Sequence, residues 1–293
     1  MKPFTYLEPN HLSEAVDLVC EYGPEASIIA GGQSLLLALK NRSKRPTHLV
    51  SIAAIPEMQG WRYNAQGELE CGAALTYAKL ASARLRGWHS EIASVASNLA
   101  DDCVRNMATI GGAACQAEPR FDVPALLVGL NARMTINSRN GAYVVDAEQF
   151  FNHLGGTRLA PAEVLTMITF PALPTYSKVV FEKFRVQVFD PALVSIVCAL
   201  RLDATDMVAG ARITIGAVEK APFSAVRSAS DLVGRRLPHA TDRGLGERIA
   251  DEVIPRETRG KSPRGYQAEL IKALTCGAMR RAWSQTRKES GVD

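Results

Sequence analysis

Two glycine pairs are the parts of this 293-residue sequence best suited to chemistry. The first lies in "AGGQSLLLALK", Ala30 to Lys40, where the apolar run "SIIA" leads into Gly31-Gly32. The second lies in "ATIGGAACQAEPRFD", Ala108 to Asp122. A glycine brings its backbone N–H to a ligand with no Cβ in the way, and a helix that follows adds the positive end of its dipole. Such a pair either turns the chain or cradles a phosphate. Gln33 and Ser34 add side-chain hydrogen bonders at the first pair. The Thr109 hydroxyl and, further on, Asp122 add them at the second. Neither pair matches the G-x-G-x-x-G or P-loop pattern. The pairs stand 80 positions apart (111 minus 31), which suits two jaws closing on one extended ligand between small domains. On that reading a valine at position 111 would fill the phosphate space.

The remaining reactive residues do not group. Six cysteines, at positions 20, 71, 103, 115, 198 and 276, form no C-x-x-C and have no histidine at metal spacing. They read as small buried apolar residues, apart from Cys115 inside the second motif, and the chain is expected to hold no iron–sulfur cluster. His11, His48, His89, His153 and His239 are isolated, and no triad or metal set is assigned. Asp101-Asp102 read as a loop or helix end, with Arg105 holding Asp101 or the glycine loop. With 34 basic and 30 acidic residues the net charge of +4 is too mild to argue for nucleic acid. No apolar run reaches the roughly 18–20 residues of a membrane span. The N-terminus lacks the apolar core of a signal peptide, so a cytoplasmic chain is expected.

Three units must position the motifs. In residues 1–56, "LSEAVDLVCEYGPEA" reads as a helix with Ser13 as its cap and Gly23-Pro24 as its stop. Strand "ASIIAGG", helix "SLLLALKNRS" and strand "HLVSI" follow as a parallel βαβ-like unit. In residues 57–175, Arg62–Tyr63 and Glu68–Gly72 pair across a turn, and "YAKLASARL" and "SEIASVASNLADDCV" are helical. The glycine motif, a helix "DVPALLVGLNA", a hairpin turning at Arg139-Asn140-Gly141 and a strand "EVLTMITFP" complete this α+β unit. In residues 176–293, strands from "SKVVFEKF" to "GARITIGAVEKAPF" precede three amphipathic helices, "SASDLVGRRL", "LGERIADEVI" and "YQAELIKALTCGAMRRAW". The last carries Leu270, Ala273, Leu274 and Gly277 on one face. "RETRGKSPRG" between them is a basic, breaker-rich loop.

The chain resembles the FAD-binding middle subunit of the molybdenum hydroxylases, the group of carbon monoxide dehydrogenase and the flavin domain of xanthine dehydrogenase. The resemblance rests on Ala30-Gly31-Gly32-Gln33-Ser34-Leu35 with Lys40 downstream, and on Arg105-Asn106-Met107-Ala108-Thr109-Ile110-Gly111-Gly112 followed by Pro119 and Asp122. "LAPAEVLTMITFP" matches the strand whose leucine packs near the isoalloxazine, giving Leu165. "FEKFRVQVFDPALVSIVCAL" matches the segment that gives Lys183 and Asp190, and "SPRGYQAELIKAL" matches a C-terminal helix start. The resemblance implies an α+β, PCMH-type FAD-binding fold of two small α/β domains plus a C-terminal domain of antiparallel strands and helices. It implies FAD held by Ala30–Leu35, Thr109, Gly111, Gly112, Ala113, Cys115, Asp122, Leu165 and Lys183, with no catalytic residue on this chain. A cation such as Lys183 near the ring favours the reduced flavin. The implied role is electron relay: from a molybdopterin large subunit through a [2Fe–2S] small subunit to FAD here, then to an external acceptor, in a heterohexamer with two copies of each. A stand-alone FAD-dependent oxidoreductase and a non-enzymatic nucleotide-binding module are the rival readings. The sequence departs from the family at Ala113, where asparagine is usual, and at Phe121, Gln187 and Pro191.

Overall fold

The computed structural model describes residues 2–172, 178–205, 207–236, 243–254 and 263–289. Strands β1 (Thr5–Leu7), β2 (Ala26–Ile29) and β3 (His48–Ser51) form a parallel sheet in the order β1-β3-β2. The parallel β2–β3 pair needs a crossover, and α2 (Leu35–Lys40) supplies it. β1 goes unread in the sequence because three residues between Pro3 and Pro9 show no period. Helix α1 (Leu12–Tyr22) buries Ala15, Val16 and Val19. Its start differs from the expectation. His11 is the cap residue and makes no side-chain cap bond, and the Asn10 N–H donates instead to Glu14 Oε2 at 2.8 Å. Gly23 ends the helix at φ +48°, a left-handed value that suits glycine.

The second sheet is antiparallel and combines β4 (Trp61–Tyr63), β5 (Leu69–Gly72), β6 (Arg133–Ser138), β7 (Gly141–Asp146) and β8 (Val164–Phe170) in the order β4-β5-β8-β6-β7. Both expected hairpins form, pairing Arg62 with Glu70 and Ser138 with Gly141. β8 inserts between β5 and β6, a non-local pairing that hairpin signals do not announce. Six helices accompany the sheet: α3 (Tyr77–Ala81), α4 (Ser90–Ser97), α5 (Asp102–Met107), α6 (Ile110–Gln116), α7 (Asp122–Gly129) and α8 (Ala147–Phe150). The stretch expected to be helical from Ser90 to Val104 breaks between α4 and α5. Ala100 takes φ +43°, and Asp101 caps α5 by accepting from Val104 N at 2.8 Å. Arg105 then donates to the carbonyls of Leu99 and Ala100 at 2.7 and 2.6 Å and pairs with Asp102. These residues fasten a turn and leave acid–base work aside.

His89 is fully buried. Its Nε2 faces the Pro171 carbonyl at 2.9 Å, so that nitrogen carries the proton, and Nδ1 accepts from the Tyr63 hydroxyl at 3.1 Å. Burial holds its pKa below the ordinary histidine value. It is a structural residue joining β4 to the end of β8.

The third sheet is antiparallel: β9 (Lys178–Phe184), β10 (Val194–Leu202), β11 (Val208–Gly216) and β12 (Phe223–Ser224), in the order β12-β11-β10-β9. Helices α9 (Val226–Ser230), α10 (Arg243–Val253) and α11 (Pro263–Glu289) follow. α9 lies earlier than "SASDLVGRRL" suggests. The Glu252 carboxylate accepts from Arg227 N, Ser228 N and Ser228 Oγ at 3.1, 3.0 and 2.7 Å, so it anchors the first turn there. On α11 the buried residues are Ala268, Leu270, Ile271, Thr275, Ala278, Met279 and Ala282; Leu270 is buried as expected, Leu274 and Gly277 are half-buried, and Ala273 is exposed. The helix packs both on the sheet, at β9 and β10, and on α10, so its inward face is set by two neighbours. His239 and residues 256–262 of the basic loop, Ser262 included, lie outside the described residues.

Candidate functional site

Every residue assigned to ligand binding from the sequence lines one cavity of about 350 Å³. Residues of β2 and α2 form one wall, and α6, the start of α7, Leu165 of β8 and Lys183 of β9 complete it. The two glycine motifs enter it differently.

At the second motif Thr109 is the N-cap of α6, and its Oγ1 accepts from Gly112 N at 3.0 Å. Ile110 N donates to Leu75 O, Gly111 N to Ala73 O and Ala113 N to Thr109 O, each at 3.0 Å. All four amides are therefore engaged within the chain. Gly111 is buried, and a Cβ built there would stand 2.5 Å from both the Cβ and the carbonyl oxygen of Ala73. The space a valine would invade at 111 is therefore that of Ala73 and not that of a phosphate, as the sequence had suggested. Gly112 and Cys115 are exposed on the cavity wall, and Ala113 offers no polar side-chain atom.

At the first motif the N–H groups of Gly31, Gly32, Gln33 and Ser34 donate to no described residue. Gly31 must be glycine for another reason. A Cβ there would fall 1.8 Å from the Met107 carbonyl oxygen, so the two motifs meet backbone to backbone. Gly32 takes φ +70° and begins the turn into α2.

Asp122 opens α7 and is 4% exposed. Its Oδ2 pairs with Lys183 Nζ, while its Oδ1 is buried with no partner among the described residues. Burial pushes the Asp122 pKa up, and the Lys183 ammonium pulls the other way. Lys183 also donates to the Asn98 carbonyl at 3.3 Å, as Arg185 does. Lys183 is thus a partly buried partner of the buried Asp122, although β9 is an edge strand.

Three further features line the cavity without having been read from the sequence. Tyr77 is buried beside Asp122, and burial and that carboxylate together push its phenol pKa upward. No spacing marks it. Arg120 donates to the carbonyls of Pro191 and Ala192 at 3.2 and 3.3 Å, which holds the β9–β10 loop against the cavity. Its place between Pro119 and Asp122 was a usable signal. Phe189 of that loop is 63% exposed and also lines the cavity.

Four open backbone donors, one open carboxylate oxygen and the apolar flanks of Ile29, Leu35 and Leu165 fit a dinucleotide: donors for pyrophosphate, an acceptor for hydroxyls. The comparisons agree. Residues 2–173 match the family model described as FAD binding domain in molybdopterin dehydrogenase, and residues 179–282 match the CO dehydrogenase flavoprotein C-terminal domain. The chain belongs to this family. The medium chain of carbon monoxide dehydrogenase from Afipia carboxidovorans is 29% identical over 286 residues, covering 97% of this chain and 98% of that one. The glyceraldehyde dehydrogenase medium chain of Sulfolobus acidocaldarius is 29% identical over 279 residues, covering 94% and 97%. Among solved structures, quinoline 2-oxidoreductase from Pseudomonas putida 86 superposes with a TM-score of 0.86 at 30% identity, covering 96% of this chain and 98% of that chain. Carbon monoxide dehydrogenase from Hydrogenophaga pseudoflava, in a form lacking the Mo-pyranopterin moiety, gives 0.87 at 28%, covering 97% and 98%. The chain is the FAD-binding medium subunit of an oxidoreductase of the molybdenum hydroxylase type. Among the described residues, no helix is long and apolar enough to cross a membrane.

Proposed function

We propose that this chain is the relay subunit of a heterotrimeric molybdenum hydroxylase, receiving electrons from a [2Fe–2S] small subunit served by a molybdopterin large subunit and handing them to an external acceptor. FAD, when bound, supplies a redox centre that can take electrons singly and release them in pairs. The observation that carries the reading is the junction of open groups in one cavity: four amides at Gly31–Ser34 and the Oδ1 of Asp122, none with a partner among the described residues. Gly31, Gly32, Gln33 and Ser34 would hold the pyrophosphate, with the capped start of α6 adding its dipole from the other side. Asp122 would accept from a ribityl or ribose hydroxyl, which satisfies an oxygen that is costly to leave buried and unpaired. Lys183, fixed by Asp122, puts positive charge at the wall beside Leu165 and favours a ligand that gains negative charge. Arg120 keeps the Phe189–Pro191 loop in place over the opening.

Titration of the full chain with FAD, followed by flavin fluorescence, tests the site. The wild type is expected to bind. Asp122→Ala is expected to bind roughly 10–100-fold more weakly, the equivalent of a lost hydrogen bond to a charged group. No binding by the wild type would overturn the cofactor assignment. A native-mass measurement on the co-expressed complex tests the relay, and a lone chain that turns over substrate by itself would overturn it.

A further inference from the structure

Of the polar side chains that line the cavity, those of Tyr77, Thr109 and Asp122 are buried. Thr109 Oγ1 already accepts from Gly112 N. Asp122 Oδ1 has no partner among the described residues. The Tyr77 hydroxyl has none among them either, although the residue is only 7% exposed. What surface it keeps faces the cavity. A phenol or a carboxylate oxygen taken from water without a hydrogen bond is costly. The two groups are complementary. Burial and the Asp122 charge both raise the Tyr77 pKa, so the phenol keeps its proton and donates, while the carboxylate oxygen accepts. Yet no hydrogen bond joins them.

The backbone of Tyr77 is fixed. Thr76 caps α3, accepting from Lys79 N at 3.4 Å, and pairs with Thr109 in an antiparallel bridge. Tyr77 N donates to Ala108 O at 3.0 Å. Its side chain belongs to the same core as Ile110, Val123 and Leu165. The adjoining Met107 carbonyl is the one that bars a Cβ at Gly31. Tyr77 thus hangs from the junction of the two glycine motifs, at the phosphate end of the cavity. Asp122 is tied by Lys183 to the wall beside Leu165, at the other end. A ligand group that touches both residues lies between the two ends.

We propose that Tyr77 is a further cofactor-binding residue, its O–H donating to a ribityl hydroxyl that donates in turn to Asp122 Oδ1. This rests on the FAD reading above and narrows it. A hydroxyl both accepts and donates, so one such group satisfies both buried atoms. The ribityl chain is the hydroxyl-bearing part of FAD between its phosphates and its ring. The ribose of the adenosine half lies beyond the phosphates, away from Lys183. A linker without hydroxyls would leave both groups unpaired, so the pair selects a polyol.

The test titrates the full chain with FAD, followed by flavin fluorescence, for the wild type, Tyr77→Phe, Asp122→Ala and the double variant. Urea denaturation without FAD reports folding, and Tyr77→Phe is expected to keep at least the wild-type midpoint because it removes an unpaired hydroxyl. Its FAD affinity is expected to fall roughly 3–10-fold, the equivalent of one neutral hydrogen bond. The double variant is expected to lose less than the product of the single losses, since both residues hold one hydroxyl. The absorption maximum and potential of the flavin bound to Tyr77→Phe are expected to match the wild type, because the contact is not with the ring. Unchanged affinity in Tyr77→Phe, or losses that simply multiply, would overturn the shared hydroxyl. So would a shifted absorption or potential, which would put the phenol on the ring. FAD analogues that each lack one ribityl hydroxyl give a second measurement on the wild type alone. One of them is expected to bind at least roughly 10-fold more weakly than FAD. Equal binding of them all would overturn this contact and leave the FAD reading standing. No FAD binding by the wild type would overturn both.

Discussion

At Gly31-Gly32 the amides from Gly31 to Ser34 have no acceptor among the described residues, whereas at Gly111-Gly112 every amide from Ile110 to Ala113 is hydrogen-bonded within the chain. The same two letters thus serve different physics. The first pair withholds its donors from regular structure and leaves them for a ligand. The second starts a capped helix and contributes its dipole and its packing. Within each pair the labour divides again. Gly31 and Gly111 are required by a neighbouring backbone, while Gly32 has a left-handed φ and Gly112 faces the cavity.

The comparison breaks most readily at Gly31. In Gly31→Ala the new Cβ meets a carbonyl oxygen at 1.8 Å with no flexible atom to yield. Its cost belongs at or above the upper end of the about 1–3 kcal/mol usual for overpacking, and FAD retention is expected to be lost with it. Urea denaturation in the absence of FAD measures this, and a wild-type midpoint would show that the two motifs do not press on each other. Gly111→Ala comes next, at about 2 kcal/mol, because Ala73 obstructs it with one side-chain atom and two backbone atoms. Adding Ala73→Gly is expected to recover part of the loss, since only the side-chain atom is removed; no recovery would place the obstruction elsewhere. Gly112→Ala is the mildest. Its Cβ stands 2.8 Å from Thr109 Oγ1, a hydroxyl that can rotate away at the expense of the cap, about 1 kcal/mol. Here FAD affinity is expected to fall by more than stability does. Equal losses in both, measured side by side, would erase the distinction between the two glycines of the pair.

Much of this was legible in the chain. Local signals carried well: Gly23-Pro24 stops α1, Asn140-Gly141 turns the β6–β7 hairpin, and the parallel β2–α2–β3 unit follows from its apolar runs. What failed was non-local. β8 pairs with strands distant in sequence, and Glu252 on α10 decides where α9 begins. The face of α11 is set by two packing partners, so a single helical stripe misjudged it at Ala273. At the site, residue types and order pointed to the cavity wall from Ala30 to Lys183. They could not show which amides were already occupied, because that depends on Ala73 and Leu75 arriving from β5's far end. Tyr77 escaped notice for the same reason.

Gly31 and Met107 touch across 76 positions of sequence (107 minus 31), at a distance that admits no extra atom. These two stretches are therefore one heritable unit. A crossover between related genes placed inside residues 32–106 would join one parent's first motif to the other's second, and the new partners would have to match at main-chain precision. A crossover between residues 173 and 179, where the two matched family regions meet, leaves that joint whole. The pair of glycine motifs therefore travels together, and a C-terminal sheet from a relative can replace this one only if it brings partners that fit Asp122, Arg120 and Gly129 of the first region.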